Sequence, residues 1–168
     1  MAISMYRASV PVFVQFLNNL SAILAKAAEY GEAKKIEPAV FTGGRLCADM
    51  FPLTRQVQIA TDMAKGAAAR LAGAEVPSFA DTETTFEDLQ ARIKKTLDFI
   101  QSVKPEAIDG SEERDIVLKS GPRELHFKGE AYLTTFVLPN FFFHITTAYG
   151  ILRHMGVDLG KKDYLGMK

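Results

Sequence analysis

Four stretches of this chain place apolar side chains three and four residues apart, and glycine or proline interrupts the chain between or just after them. That spacing is the period of an α-helix with one buried face. It constrains the fold more than any other feature, because four such stripes must be buried against one another. The first carries Phe13, Phe16, Leu17, Leu20, Ile23, Leu24 and Ala27 and runs to about Gly31. Ser4 or Ser9 can cap its start; Pro11 suits an early helical position under Ser9 but would kink a helix begun at Ser4. The second runs from about Pro52 to Leu71, with Leu53, Val57, Ala60, Ala64, Ala67, Ala68 and Leu71 on an alanine-rich face that lets a neighbour approach closely, and with Gly73 as its stop.

The third helix opens on two overlapping capping boxes, Thr84 with Glu87 and Thr85 with Asp88, the latter the weaker acidic variant. Phe86, Leu89, Ile93, Leu97 and Ile100 line its buried face, Arg92, Lys94, Lys95 and Asp98 read as solvated, and Pro105 ends it. The fourth runs from about Glu130 to His154, with Pro139 expected to kink it. Between the first two helices, "EAKKIEPAVFTGGRLCAD" is a connection with at most a short helical turn. Between the last two, "RDIVLKSGPRELHFK" is a hairpin turning at Ser120-Gly121-Pro122, with Ile116 and Leu118 facing the same way as Leu125 and Phe127. A polar tail closes the chain. The expectation is one domain over residues 1–168: an all-α four-helix bundle with up-down packing and a small β-hairpin between helices three and four.

Charge excludes some partners. Twenty Lys and Arg balance twenty Asp and Glu, interspersed along the chain, so there is no footprint for nucleic acid or an anionic membrane. No apolar run of about 18 residues passes without a charge or break, and no signal peptide is evident, so a cytoplasmic location is expected. Cys47 is the only cysteine, which excludes an intrachain disulfide; with His126, His144 and His154 scattered, a cysteine-based zinc site is excluded too. Cys47 itself reads as a buried structural residue, His126 as exposed on a strand, and His154 as a cation suited to a helix C-terminus.

The residues that remain for chemistry are on the fourth helix. Asn140 and His144 lie one turn apart on a face shared with Ala148 and Ile151. A histidine on such a face is most often a core residue satisfied by one hydrogen bond. A functional one needs partners from a facing helix, and the second helix region supplies Asp49, Arg55, Gln56 and Asp62. The candidate pocket is therefore Asn140, His144, Asp49, Gln56 and Asp62, with no catalytic residue assigned. One imidazole and one carboxylate fall short of the three protein ligands of an open metal site. Phe141, Phe142 and Phe143 span about 200° of helix, so a single core cannot take all three. The hairpin or a second copy of the chain must cover one, and a homodimer is expected; an aromatic cavity for a small-molecule ligand is the alternative.

The segments "MYRASVPVFVQFLNNL", "DMFPLTRQVQIATDMAKGAAARLAG" and "PNFFFHITTAYGILRHMGVDLGKKDYLG" resemble an uncharacterised domain-of-unknown-function family of bacteria and fungi, grouped with the DinB-like, YfiT-like four-helix-bundle superfamily. The resemblance implies a divalent metal, zinc or nickel, held by one histidine of the second helix and an H-x-x-x-H pair on the fourth, and thiol-dependent transferase or isomerase activity. Aligned on Leu152-Arg153, the second histidine of the pair is His144 and the first is Asn140; the stretch from Cys47 to Leu71 has no histidine. His144 is the only ligand position carried over. The expected function is a small-molecule-binding or accessory protein with a degenerate metal site and no cofactor, the alternative an enzyme using His144.

Overall fold

A computed structural model describes residues 3–167 of the chain. The first helix starts after Ser9, and a non-helical turn leads into it from Ser4. Ser9 precedes α1 (Val10–Lys34), but its hydroxyl turns back and donates to the carbonyls of Met5 at 2.7 Å and Tyr6 at 3.2 Å. A turn of chain from Ser4 thus leads into the helix, and Pro11 falls in the first helical turn, where its missing N–H has no partner to lose. The helix continues past Gly31 to a left-handed Lys35. Gly31 serves as a contact and not as a stop: a Cβ there would come within 2.9 Å of the Phe41 ring, so its absence lets α2 (Pro38–Thr42) lie close.

Helix α3 (Leu53–Leu71) buries its alanine face, and Gly73 follows it at positive φ. Helix α4 (Phe86–Ser102) is capped by Thr85 and Asp88: Asp88 N donates to Thr85 Oγ1 at 3.1 Å, and Asp88 Oδ2 accepts from the N–H groups of Thr84 and Thr85 at 2.9 and 3.0 Å. The acidic variant wins because one carboxylate takes two backbone donors. Pro105 ends α4 and also opens a further turn, α5 (Pro105–Ile108). Strands β1 (Asp115–Ser120) and β2 (Arg123–Lys128) pair antiparallel with Ile116 opposite Phe127 and Leu118 opposite Leu125. This is the register that apolar alternation requires.

The last long helix is built in three parts: α6 (Gly129–Ala131), a π-helical segment (Tyr132–Val137) and α7 (Leu138–His154). A π turn precedes Pro139 and gives room to the proline, whose ring crowds the carbonyl four residues back. Thr134, Thr135 and Asn140 each donate a side-chain hydrogen bond to the carbonyl four residues earlier, supplying donors around the altered ladder. The tail also departs from expectation. It forms α8 (Lys161–Leu165), which packs on α1 through Tyr164 against Phe16 and the Lys26–Asp163 ion pair at 2.6 Å.

Around the core, α4 and α7 each lie against α3, and α1 packs chiefly against α4, with α8 and α7 on its other flank. Phe13, Leu17, Leu20, Leu24, Leu89, Phe141 and Ile145 meet at the centre with no exposed surface. By length and composition α1 and Gly129–His154 could each cross a bilayer. In this fold their apolar stripes face one another, as the contact of Phe13 with Phe141 at 5.0 Å shows.

Two residues sit where sequence reasoning did not put them. Arg92 belongs to the buried side of α4, its side chain 1% exposed, because it is surrounded by acceptors from α3 and the preceding linker. Cys47 is exposed, because it falls in the irregular stretch between α2 and α3 with no helix to press it inward.

Candidate functional site

Helices α3 and α7 form the most extensive interface in the fold, and it carries a polar contact. Gln56 comes from the first turn of α3 and His144 from the middle of α7; both are buried. The Gln56 amide nitrogen donates to the carbonyl of Phe51 at 2.9 Å, which turns its oxygen toward the histidine, 2.7 Å from Nδ1. An amide oxygen only accepts, so Nδ1 carries the ring proton and Nε2 keeps its lone pair. Nε2 has no hydrogen-bond partner among the described residues. The imidazole is held below its ordinary pKa, first by burial and then by the nearby charge of Arg55. The Phe143 ring stands edge-on to it at 5.2 Å. At neutral pH the site offers a neutral, oriented imidazole between two helices.

The other candidates do not join it. Asn140 is half-buried one turn away, but its amide nitrogen is 2.6 Å from the Phe136 carbonyl on its own helix. Asp49 is exposed in the stretch before α3 and has no ion-pair partner among the described residues. Asp62 faces the other side of α3, paired with Lys65 at 2.8 Å and Arg92 at 2.9 Å. Arg55 pairs with Asp81 and donates to Gln58. Of the five candidate residues, only Gln56 and His144 touch.

The donor set does not fit the metal that the resemblance implies. Zinc or nickel wants imidazole, thiolate or carboxylate, whereas His144 Nδ1 is bonded to the Gln56 amide and the amide of Asn140, one turn away, is tied to a carbonyl. Among the described residues no group of three His, Cys, Asp or Glu side chains is placed to hold a metal ion.

A larger polar cluster on the opposite side of α3 was missed. Arg92 donates from Nε to Thr61 Oγ1 at 2.8 Å, from Nη2 to Asp62 at 2.9 Å, and from Nη1 to Glu83 at 2.9 Å and the Ala80 carbonyl at 3.2 Å. The Phe79 ring lies 4.0 Å from Lys65 Nζ and 4.1 Å from Lys95 Nζ. These contacts strap the linker over α3 and α4. The signal was present: Arg92 follows Leu89 by three residues and precedes Thr96 by four, on the buried stripe itself.

Residues 5–165 match the family model described as a domain of unknown function, DUF1993. No curated protein matches. Among solved structures, the crystal structure of a DinB family member protein from Shewanella denitrificans superposes with a TM-score of 0.88 at 40% identity, covering 97% of this chain and 92% of that one. The α3–α7 pair with its glutamine and histidine is thus set in a DinB-like bundle, and the chain belongs to the DUF1993 family.

Proposed function

We propose that this is a metal-independent member of the DinB-like group, a small-molecule-binding or accessory protein in which a hydrogen bond joins α3 to α7 where the resembling superfamily uses a metal. The supporting observation is the Gln56–His144 contact at 2.7 Å, with Gln56 anchored on Phe51. It leaves the imidazole one free nitrogen, and among the described residues no group of three His, Cys, Asp or Glu is placed to hold a metal. Purified protein should carry no stoichiometric zinc or nickel by elemental analysis. Metal that is retained, and lost in His144→Ala, would contradict the reading.

Stability gives a second test. In His144→Leu the Gln56 oxygen loses its buried donor, and unfolding free energy should fall by about 1–3 kcal/mol. The pH dependence has a definite sign. With a folded pKa below the unfolded value of about 6.5, the unfolded state binds the proton first. The contribution of His144 is therefore complete above pH ~6.5 and lost as pH falls from there through the depressed folded pKa. Denaturation curves between neutral and mildly acid pH should show this slope in wild type and a flatter one in His144→Leu.

A second reading, an enzyme with His144 as general base, is favoured by one observation: Nε2 is unprotonated, has no partner among the described residues, and sits on a ring oriented through Nδ1. Under that reading His144→Leu leaves stability unchanged or higher, because functional groups are kept at the expense of packing.

For the partner, we propose a second copy of the chain. Phe143 on α7 is 56% exposed, and Phe51 and Leu46, in the stretch before α3, are 55% and 44% exposed. Leu46 lies against α7 at Gly150, two turns along from Phe143. Apolar surface of this kind contributes about 25 cal/mol per Å2 when covered. Light scattering should give a dimer mass for wild type and a monomer for Phe143→Ser; a wild-type monomer at high micromolar concentration contradicts the proposal.

A further inference from the structure

On the side of α3 that faces the hairpin, β1 and β2 leave a cleft of about 290 Å3 above the π-helical segment. That is close to the lower end of small-ligand sites, about 300 Å3. Its floor is aromatic, with Tyr132 and Phe136 stacked at 6.1 Å and their planes 19° apart. Met63, Leu118 and Leu125 form the walls. Into this surround is set a charge without a counter-charge. Arg70 is half-buried, donates from Nη1 to Tyr132 Oη at 3.0 Å, and has no carboxylate partner among the described residues. The acid that borders the cleft, Asp62, is already paired with Lys65 and Arg92.

Two features hold Arg70 in place. The three nearest atoms to a Cβ built at Gly66 all belong to the Arg70 guanidinium, so the glycine opens the space that the head group fills against α3. Tyr132 accepts from Arg70; burial pushes its phenol pKa up, outweighing the lowering effect of the Arg70 charge and hydrogen bond, so it keeps its proton and has an O–H left to donate.

We infer that this cleft binds a small monocarboxylate with an apolar body of aromatic size. The guanidinium pairs with the carboxylate through the N–H groups that Tyr132 does not use, and the phenol donates to the same group. Phe136, Met63, Leu118 and Leu125 cover the apolar part. Lys119 at the rim adds a second positive charge, and the apolar walls favour a ligand with one charged end over a free inorganic anion. Nothing in this arrangement involves His144, which lies on α7 beyond Pro139. The inference gives the binding-protein reading a ligand class, and rests on that reading for its biological sense alone. Metal at His144 would end that reading and leave carboxylate binding at Arg70 intact, so the two failures are distinguishable.

The test is a titration of the full chain with phenylacetate in the presence of a chelator, followed by amide chemical shifts. Saturable shifts are expected around Arg70, Tyr132 and the hairpin, and phenylacetamide, which lacks the charge, should not reproduce them. Arg70→Gln should weaken phenylacetate binding about tenfold or more. Gly66→Ala places a methyl where the guanidinium lies; it should weaken binding similarly while the melting temperature holds or rises, since alanine is the better helix former. That variant keeps the test sound if Arg70→Gln folds poorly. No saturation with phenylacetate up to about 10 mM, equal binding of phenylacetamide or of inorganic phosphate, or full affinity in Gly66→Ala would each overturn the inference.

Discussion

Arg92→Met should lower the unfolding free energy by about 3 kcal/mol or more, although the residue is an arginine on a helix that otherwise displays its charges to solvent. The side chain is 1% exposed and serves partners on two segments at once, Thr61 and Asp62 of α3 and Ala80 and Glu83 of the linker. Methionine fills much of the same space but donates nothing. Glu83, itself mostly buried, then loses its charged partner; Asp62 keeps Lys65. Removing one member of a buried ion cluster leaves an uncompensated charge, and this is the large term. Added salt should not restore the loss, because screening acts on exposed pairs. The linker at residues 79–85 should also become cleavable by protease under native conditions. A variant within about 0.5 kcal/mol of wild type in denaturant melts would mean that the cluster is balanced by its own desolvation.

Phe141→Ala should cost about 3–5 kcal/mol, and its neighbour Phe143→Ala almost nothing in the isolated fold. The three consecutive phenylalanines are chemically identical and meet three different surroundings. Phe141 has no exposed surface and packs edge-on to Phe13 at 5.0 Å. Phe142 is covered by Phe16 at 4.9 Å, beside which Tyr164 of α8 stands at 5.3 Å. Phe143 points outward beside His144. Truncating the first opens a cavity at the centre of the bundle, where the α1–α7 contact has no means to collapse. Equal losses for Phe141→Ala and Phe143→Ala in thermal or chemical melts would show that the two faces had been misjudged.

The fold was legible because its signals are local and repeated. Thr84, Thr85 and Asp88 mark a helix start by three hydrogen bonds within five residues, and the alternation around Gly121-Pro122 allows one hairpin register. The site was less legible, since facing residues on two helices depend on a rotation that periodicity leaves open to about one residue. Gln56 and Asp62 are six positions apart on α3 and were equally eligible; the first meets His144 and the second meets Arg92. Charge misled at Arg92, where burial depends on acceptors brought in by a distant linker. Low hydropathy misled in the tail, where a single aromatic, Tyr164, and one ion pair suffice to dock α8. For Cys47 a residue-type preference was applied to a stretch with no regular structure to enforce it.

The π turn ahead of Pro139 separates two parts of one helix in a way that matters for how the family can change. A π turn holds one residue more than the α-helical ladder needs, so deleting a residue within Tyr132–Val137 is the change that would let a plain α-helix close up. Each residue of an α-helix turns the chain by about 100°. Because the π turn already absorbs the extra residue, such a deletion would leave α7 in phase with His144 against Gln56, and would displace only side chains within the turn, Tyr132 and Phe136 among them, from the floor of the cleft. The hairpin cleft and the interhelical clamp are thus separate traits, and relatives that differ in length at this point can have lost or gained the one without disturbing the other.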